Sequence, residues 1–289
     1  TGTEAVELAL MLAMTATGRH KLVSLEGAYH GNSFGARSIG EGGVDNGLRG
    51  CGKLAPPLDA RALHRLERML ESREVAAFIM EPIAMNLGVL VPDAEFMREL
   101  VPLCHRYGTL VIADEVACGF GRTGKLFACE HYDLAPDLMC LAKALTSGVA
   151  PLGAVLATAE IEKAAEGELS FYATFGWHPL AVEAAIATLG HWNRHGAEIL
   201  DNVAERSNDI LTRLSVRLPE EAELHIAGLA IAIEFGDEER ALRIGKRCRR
   251  KGLLIAPEGT TIELFPALTI DRETLAEALD ILDEAISAG

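Results

Sequence analysis

Hydrophobic and polar positions follow two different periods along the first two thirds of the chain. A period of three to four residues predicts amphipathic helices, which we place at residues 3–17, 59–72, 93–107, 179–193 and 198–217. Short apolar runs between them predict buried strands, which we place at residues 21–25, 76–80, 109–113, 138–142 and 152–158. Strands that alternate with helices are typical of a mostly parallel sheet, so the pattern predicts an α/β fold.

The pattern changes after Pro219. Further elements are predicted at residues 229–235, 239–251, 253–256, 261–265 and 272–287, and they indicate a smaller α+β domain. We place the boundary near Gly196. This gives a large domain over residues 1–195 and a small C-terminal domain over residues 196–289.

One glycine-rich stretch, residues 40–53, predicts a long mobile loop. Its residues 47–53 also match a Walker A phosphate loop. That match lacks a preceding strand, and Leu54 stands where a Ser or Thr should follow the lysine. We therefore interpret the Walker A match as accidental.

Composition excludes several classes of function. A chain of 289 residues with 49% hydrophobic composition can bury a large core, and its net charge of −15 opposes binding to a nucleic-acid backbone. The apolar runs are too short to span a membrane. The six cysteines form no C-x-x-C pair, which favours reduced core residues in the cytoplasm over a disulfide or zinc framework.

Lys143 lies within the almost wholly apolar run 137–145. An isolated ammonium in such surroundings must find a partner or lose its proton. A desolvated lysine is a nucleophile, which is what a Schiff-base lysine requires. The alternative interpretation is a lysine at a strand end whose side chain extends to water.

Two other stretches favour the chemical interpretation. The strand predicted at 109–113 ends in Asp114, and ligands of open α/β sheets bind at the carboxyl ends of strands. Gly2 and Thr3 begin a predicted helix, whose free N–H groups can bind an anion. A nucleophilic lysine, a strand-end aspartate and a phosphate site together fit pyridoxal phosphate better than any other cofactor.

Seven motifs, in the same order, resemble those of the class III pyridoxal-phosphate aminotransferases of fold type I. They are TGTEA at 1–5, EGAYHG at 26–31, EPI at 81–83, ADEV at 113–116, GFGRTG at 119–124, LAKAL at 141–145 and ATFG at 173–176. The resemblance covers nearly the whole chain, and residues 124–158 are most similar to the putrescine (polyamine) branch. In the family a further segment precedes the first motif and lines part of the substrate pocket, so the resemblance implies a fragment or a reduced member.

The resemblance implies that Lys143 forms the Schiff base with the cofactor and then acts as the general base for the substrate's Cα proton. It implies that Asp114 keeps the pyridine nitrogen protonated, so that the ring accepts electrons. A helix cap or a metal ligand are alternative roles for Asp114. No histidine or second carboxylate stands at ligand spacing except Glu115, which points to the opposite face if the strand continues.

Other motif residues are implied to hold the cofactor. Val116 and Tyr29 would pack on opposite faces of the ring, although plain core packing explains Val116 equally well. Glu81 would support the ring side, while His30 is interpreted as structural. Gly2 and Thr3 would bind the phosphate.

Thr174 has a different implied role from the other motif residues. In the family the matching threonine reaches the phosphate of the neighbouring subunit. The resemblance therefore implies a homodimer with shared active sites.

These observations predict an aminotransferase that moves an amino group from an amine or amino acid to an oxo acid or aldehyde by a ping-pong mechanism. The alternatives are an aminomutase or racemase of the same family and a non-catalytic member. An NAD-binding dehydrogenase is a further alternative, because residues 119–124 also satisfy G-x-G-x-x-G. That motif does not directly follow a strand, and no convincing apolar helix follows it.

The substrate side of the family pattern is altered. The family's EPIQGEGG reads EPIAMNLG at 81–88, TFGGNP reads TFGWHP at 174–179, and Arg-Gly reads Ala227-Gly228. Glu263 stands where an arginine usually binds a substrate carboxylate. If Glu263 faces the pocket, we expect a donor without a nearby carboxylate. A diamine such as putrescine or a carboxyl-masked substrate such as a keto thioester would fit. The alternative is a local register shift that leaves Glu263 in solvent.

Overall fold

The computed structural model describes residues 1–41 and 48–288. It divides into two compact units. The first unit comprises residues 1–87, 92–120 and 127–194, and the second comprises residues 88–91, 121–126 and 195–289. The sequence pattern does not indicate that two short segments from the first half of the chain belong to the second unit. The assignment of residues 1–195 and 196–289 to a large and a small domain stays a prediction.

The first unit is built on a sheet of six strands among its described residues. The strands are β1 Lys21–Leu25, β2 Cys51–Leu54, β3 Val75–Met80, β4 Leu110–Asp114, β5 Leu138–Leu141 and β6 Ala154–Ala157. Their order is β2-β1-β3-β4-β5-β6, and only β6 runs antiparallel to its neighbour. The predicted α/β fold with a mostly parallel sheet is confirmed.

The first unit also contains helices, of which the first four along the chain pack against the strands. They are α1 Gly2–Thr17, α2 Phe34–Ile39, α3 Ala60–Leu70, α4 Ala94–Arg106, α5 Ala159–Ala165 and the first part of α6 Pro179–Arg217. Helices α1, α3 and α4 lie within three residues of their predicted bounds. The short helices α2 and α5 were not predicted, since six or seven residues show too little periodicity.

Helix α1 begins at the edge of the sheet where the site lies. Thr1 and Glu4 form a capping box at its start, and Gly18 ends it with a φ of +66°, which glycine adopts without strain. The buried face of α1 consists largely of alanine together with Val6 and Leu10. Small side chains allow the helix to lie close against the strands, and this contact forms part of the buried core.

The prediction of a long loop at 40–53 is wrong at its end, where β2 pairs in parallel with β1. Residues 42–47 lie outside the described part of the chain. The ammonium of Lys53 donates to Ser24 Oγ at 3.0 Å, to the carbonyl of Gly40 at 3.1 Å and to the carbonyl of Ile39. Its three N–H groups are therefore engaged, and Lys53 is not the phosphate-binding lysine of a Walker A loop.

Helix α6 corrects a second prediction, because it runs without a break where two helices were expected. Gly196 lies in its interior. A glycine there costs about 1 kcal/mol relative to alanine, which good helix formers on both sides offset. The first unit ends at Arg194 and the second begins at His195, both within this helix.

The second unit contains an antiparallel sheet and helices. Its strands are β7 Glu223–Ala227, β8 Ala230–Glu234, β9 Ala256–Glu258 and β10 Thr261–Leu264, in the order β7-β8-β10-β9. Helices α7 Glu238–Arg250 and α8 Arg272–Ser287 accompany them. The α+β character is confirmed. Strand β7 was not predicted, and the strand predicted at 253–256 begins three residues later.

Glu263 lies on β10 and is half-buried rather than exposed. Its carboxylate accepts a hydrogen bond from the backbone N–H of Gly88, within the same unit. Burial, reinforced by the nearby carboxylate of Glu258, raises the pKa of Glu263 to about 7. Its ionised form therefore destabilises this unit.

The sign of this effect can be tested by unfolding. The pKa of Glu263 rises from 4.5 to about 7 on folding, so the folded state binds more protons in that window and stability falls as the pH rises through it. Glu263→Gln keeps an acceptor for Gly88 and removes the charge. After discounting for solvent screening of a half-exposed group, we expect a gain of about 1 kcal/mol at pH 8 and none at pH 4.5.

Thermal unfolding of wild type and Glu263→Gln at both pH values measures this difference, which should be about 2–4 °C at pH 8. Glu277→Gln, at an exposed position of α8, is the matched control and should change little at either pH. An equal shift for Glu263→Gln at both pH values would contradict the assignment.

Candidate active site

A cavity of about 400 Å³ opens at the carboxyl ends of the central strands of the first unit. Residues predicted for the site from widely separated motifs line it: Gly2, Thr3, Tyr29, Glu81, Asp114, Val116 and Lys143. Parallel strands bring their carboxyl ends to one edge of the sheet, which explains why residues up to 141 positions apart meet here. Their individual roles stay predictions.

Lys143 lies two residues after the end of β5 and begins a single 3₁₀ turn, Lys143–Thr146. Its φ of +44° is uncommon for a residue with a side chain, and such strain costs about 1–3 kcal/mol. The flanking residues Ala142 and Leu145 are buried, whereas Lys143 is exposed and lines the cavity. The apolar run therefore holds the backbone, while the amine itself reaches the cavity and is not buried as the sequence suggested.

Asp114 ends β4 and is almost completely buried. Its Oδ2 lies 2.8 Å from Nδ1 of His30, and its Oδ1 accepts the backbone N–H of Val116 at 3.1 Å. Since a carboxylate can only accept, Nδ1 of His30 carries the proton. Nε2 of His30 is buried and has no hydrogen-bond partner in the described part of the chain.

His30 is the residue that the sequence interpretation missed. It stands directly after Tyr29 in a glycine-bounded motif, and this position was interpreted as structural. The contact that gives His30 its role joins residues 84 positions apart. No local pattern reveals a pairing of that kind; only the placement of both residues at the same edge of the sheet could have suggested it.

Glu81 follows β3, the strand next to β4, and the register pairs Met80 with Ala113. Glu81 and Asp114 each follow one residue of this pair and therefore lie side by side on neighbouring chain segments. Burial raises the pKa of Glu81 well above its usual range, and the nearby charge of Asp114 raises it further, while Lys143 acts in the opposite direction. Burial and the neighbouring Asp114 therefore both favour the protonated form of Glu81. Its Oε2 accepts the N–H of Met85 at 3.0 Å.

The first turn of α1 forms another wall of the cavity. The N–H of Glu4 bonds to Thr1 Oγ1 at 3.3 Å, which leaves the N–H groups of Gly2 and Thr3 for an outside acceptor. A Cβ on Gly2 would lie 2.8 Å from a methyl group of Val116, so only glycine allows this approach. Two free N–H groups at a helix start suit a phosphate.

Tyr29 and Val116 contribute apolar surface to the cavity. Tyr29 is 50% exposed, and its hydroxyl oxygen accepts an N–H from the side chain of Asn32 at 3.1 Å. Val116 packs beside Gly2. Both residues are available to contact a flat ring, and their stacking on opposite faces stays a prediction.

Two other predicted residues lie elsewhere. Thr174 is exposed and is not among the residues that line this cavity; it lies in a segment with the exposed aromatic side chains of Tyr172, Phe175 and Trp177. Glu263 belongs to the second unit and is also absent from the lining.

The dinucleotide-binding alternative has no structural support. Strand β4 ends at Asp114, five residues before Gly119, and the first helical turn after the glycines is the short 3₁₀ segment Ala128–His131. A dinucleotide site needs a glycine turn that directly joins a strand to an α-helix. In the described residues, we find no cluster of three or more metal-ligating side chains and no helix long and apolar enough to cross a membrane.

The residues of the cavity fit pyridoxal phosphate. Its volume of about 400 Å³ lies within the range of small-molecule sites. The start of α1 suits the phosphate, Asp114 suits a protonated ring nitrogen, and Lys143 suits the aldehyde.

Comparison with known proteins agrees with this fit. The family model for aminotransferase class-III matches residues 1–286. An amine transaminase from an uncultivated Pseudomonas species, solved in its pyridoxal-phosphate-bound (internal aldimine) form, is 31% identical with a TM-score of 0.91; the whole chain matches 75% of that protein.

Two more distant structures share the fold. A thermostable omega transaminase mutant from Pseudomonas jessenii is 24% identical with a TM-score of 0.92, and the whole chain matches 74% of it. An S-selective transaminase from Arthrobacter sp. with alanine bound is also 24% identical, with a TM-score of 0.89 and again 74% of its length matched by the whole chain. Because the family model spans nearly the whole sequence, this chain belongs to the class-III aminotransferases, which use pyridoxal phosphate.

Proposed function

We propose that this aminotransferase takes amino groups from plain amines and that Lys143 and Asp114 carry its chemistry. The observation that carries the proposal is the meeting of Lys143, Asp114 and the first turn of α1 in one cavity. Pyridoxal phosphate, when bound, supplies an aldehyde that bonds to amines and a ring that accepts electrons. The residues must hold that group, keep its ring charged and move protons.

Lys143 has two proposed roles: it attaches the cofactor, and it transfers a proton. Its Nζ would hold the aldehyde of the bound cofactor, the group that bonds to amines. Its free amine would act as the base that takes a proton from the donor carbon that bears the amino group and as the acid that returns it. The donor leaves as a carbonyl compound before the oxo acid or aldehyde acceptor enters, which makes the reaction ping-pong.

Asp114 supplies a fixed negative charge. His30 and the N–H of Val116 occupy one position on each of its oxygens, and the remaining lone pairs can accept a hydrogen bond from a protonated ring nitrogen. The neutral form of Glu81 avoids a second negative charge beside it. In this proposal Gly2 and Thr3 bind the phosphate, and Tyr29 and Val116 contact the ring.

A second copy of the chain is part of the proposal. Tyr172, Phe175 and Trp177 are 77%, 81% and 79% exposed, and three exposed aromatic side chains in one short segment favour an interface there. Thr174 stands between them and would reach the phosphate site of the partner. We place the enzyme in the cytoplasm, where the six cysteines, all free thiols, would stay reduced.

The donor is proposed to be an amine without a carboxylate near its reacting carbon, such as a diamine of the putrescine class. No arginine is among the described residues that line the cavity, and Lys143 is engaged in the chemistry. The local similarity of residues 124–158 to polyamine aminotransferases favours the same donor class. A solved relative that is 31% identical is an amine transaminase.

Covalent labelling tests the central assignment. Borohydride reduction of the pyridoxal-phosphate-loaded enzyme, followed by peptide mapping, should place the pyridoxyl group on Lys143, because its amine lines the cavity. The variant Lys143→Ala should take up no label, whereas Lys163→Ala on helix α5 should be labelled like wild type. A label on another lysine in cofactor-saturated protein would show that Lys143 is not the attachment site.

Mixed dimers test the shared site. Lys143→Ala and Thr174→Ala should each be weak or inactive alone. If Thr174 serves the partner's site, a dimer of the two variants contains one site with both native residues. A random one-to-one mixture prepared by co-expression should then regain up to about a quarter of wild-type activity. No regain, or a chain that is active as a monomer, would contradict the proposed dimer.

A donor panel tests the substrate class. Each plain amine is paired with the amino acid that adds a carboxylate to its reacting carbon, and kcat/KM is measured with a common acceptor. We expect the plain amine to be preferred by roughly tenfold or more, the effect of about 1.4 kcal/mol. Preference for the amino acid would show that another group binds a substrate carboxylate and that the proposed donor class is wrong.

A further inference from the structure

Glu115 is a buried carboxylate for which the proposed chemistry gives no use. It is completely buried, and it directly follows Asp114. No described salt bridge pairs it with a lysine or arginine, and burying a charge without compensation is very costly. The charge must therefore be balanced by hydrogen bonds.

Those hydrogen bonds come from one short stretch of chain. Oε1 of Glu115 accepts the N–H of Cys129 at 2.8 Å, and Oε2 accepts the N–H of Ala128 at 3.0 Å. Oε2 also accepts the thiol of Cys118 at 3.1 Å. Burial, and then the carboxylate of Glu115, raise the pKa of the thiols of Cys118 and Cys129, which stay protonated donors. The loop after β4 thus closes onto the side chain of Glu115.

Backbone hydrogen bonds also hold the chain beside Asp114. The N–H of Glu115 bonds to the carbonyl of Cys140 on β5 at 3.0 Å, and its carbonyl accepts the N–H of Gly119 at 3.1 Å. The next N–H along the chain, that of Val116, bonds to Asp114 Oδ1. If the side chain of Glu115 were released, the peptide plane that presents this N–H would be held only by its bonds to Gly119 and Asp114 and would lose the support of the 128–129 backbone and Cys118.

We infer that Glu115 is a positioning residue, which holds the Asp114–Val116 backbone so that the carboxylate of Asp114 faces the ring nitrogen and Val116 faces the ring. It does not contact the cofactor. The inference rests on the proposed function, because it gives Asp114 the role assigned there.

The experiment compares Glu115→Gln with Asp114→Asn and with Leu66→Ala. The glutamine side chain has the same size as the glutamate side chain. Its NH₂ group, however, would face N–H and thiol donors of the loop, so those hydrogen bonds would be lost. Leu66 is buried in α3 and is absent from the cavity lining, so its truncation destabilises the fold without touching the site. Three properties are measured: the pH titration of the cofactor's visible absorption, kcat and KM, and hydrogen exchange of the peptide that contains residues 110–120.

We expect Glu115→Gln to shift the absorption titration in the same direction as Asp114→Asn. We also expect kcat to fall about 10- to 100-fold with KM changed less than about threefold, the pattern of a lost orienting contact. Exchange at residues 114–118 should be faster than in wild type and in Leu66→Ala. A lower melting temperature with the absorption titration and kcat of wild type would overturn the inference.

A second variant and a measurement without the cofactor complete the test. If Glu115→Gln does not fold, Cys118→Ala removes one donor to the carboxylate and should give a smaller shift in the same direction; no shift would overturn the inference. Hydrogen exchange in the cofactor-free protein is independent of the chemistry. A wild-type protein that forms no pyridoxal-phosphate band would refute the proposed function, while unchanged exchange in Glu115→Gln would refute the positioning role of Glu115.

Discussion

The buried charge of Asp114 is the constraint on which the rest of the site depends. A carboxylate at this depth is stable only if hydrogen bonds replace the water it has lost. His30 provides one donor and the N–H of Val116 another. Glu81 on the adjacent strand is affected as well, since burial and then the charge of Asp114 raise its pKa. This raised pKa is the consequence of placing two carboxyl groups at the ends of neighbouring parallel strands.

A second constraint is the distance between α1 and the sheet. The first turn of α1 lies beside Asp114 only because the helix start comes close to the strand ends. A Cβ at Gly153 would lie 2.2 Å from the carbonyl oxygen of Thr1, and a Cβ at Gly2 would collide with Val116. These two positions therefore need glycine because the helix and its neighbours lie so close together, and not because the backbone there must be flexible. The alanine-rich face of α1 serves the same purpose further along the helix.

Sequence reasoning predicted those features that a short stretch of chain determines. Continuous apolar runs such as 76–80 and 109–113 indicate buried strands, and α8 has its predicted bounds. Features that depend on the rest of the fold were missed. The continuity of α6 through Gly196 depends on a long helical context, and β2 depends on its pairing with β1.

The candidate site also contains features that a local motif predicts and features that depend on the rest of the fold. Motifs identified Lys143, Asp114 and the helix start, and the fold brings them to one cavity. The role of His30 comes from a long-range pairing that no motif contains. The exposure of Lys143 also differs from the expectation, because an apolar run determines where the backbone is buried and leaves the direction of a long side chain open.

The altered residues after Glu81 show how the substrate side can change while the cofactor side stays intact. The side-chain amide of Asn86 donates to the carbonyl of Gly27 at 2.8 Å, and Gly27 begins the turn that carries Tyr29 and His30. The N–H of Met85 bonds to Glu81. Both changed positions therefore bond to other parts of the cavity region, and both residues also line the cavity. Because Met85 holds Glu81 through its backbone, its side chain is free to vary with the substrate, whereas Asn86 is constrained through its amide.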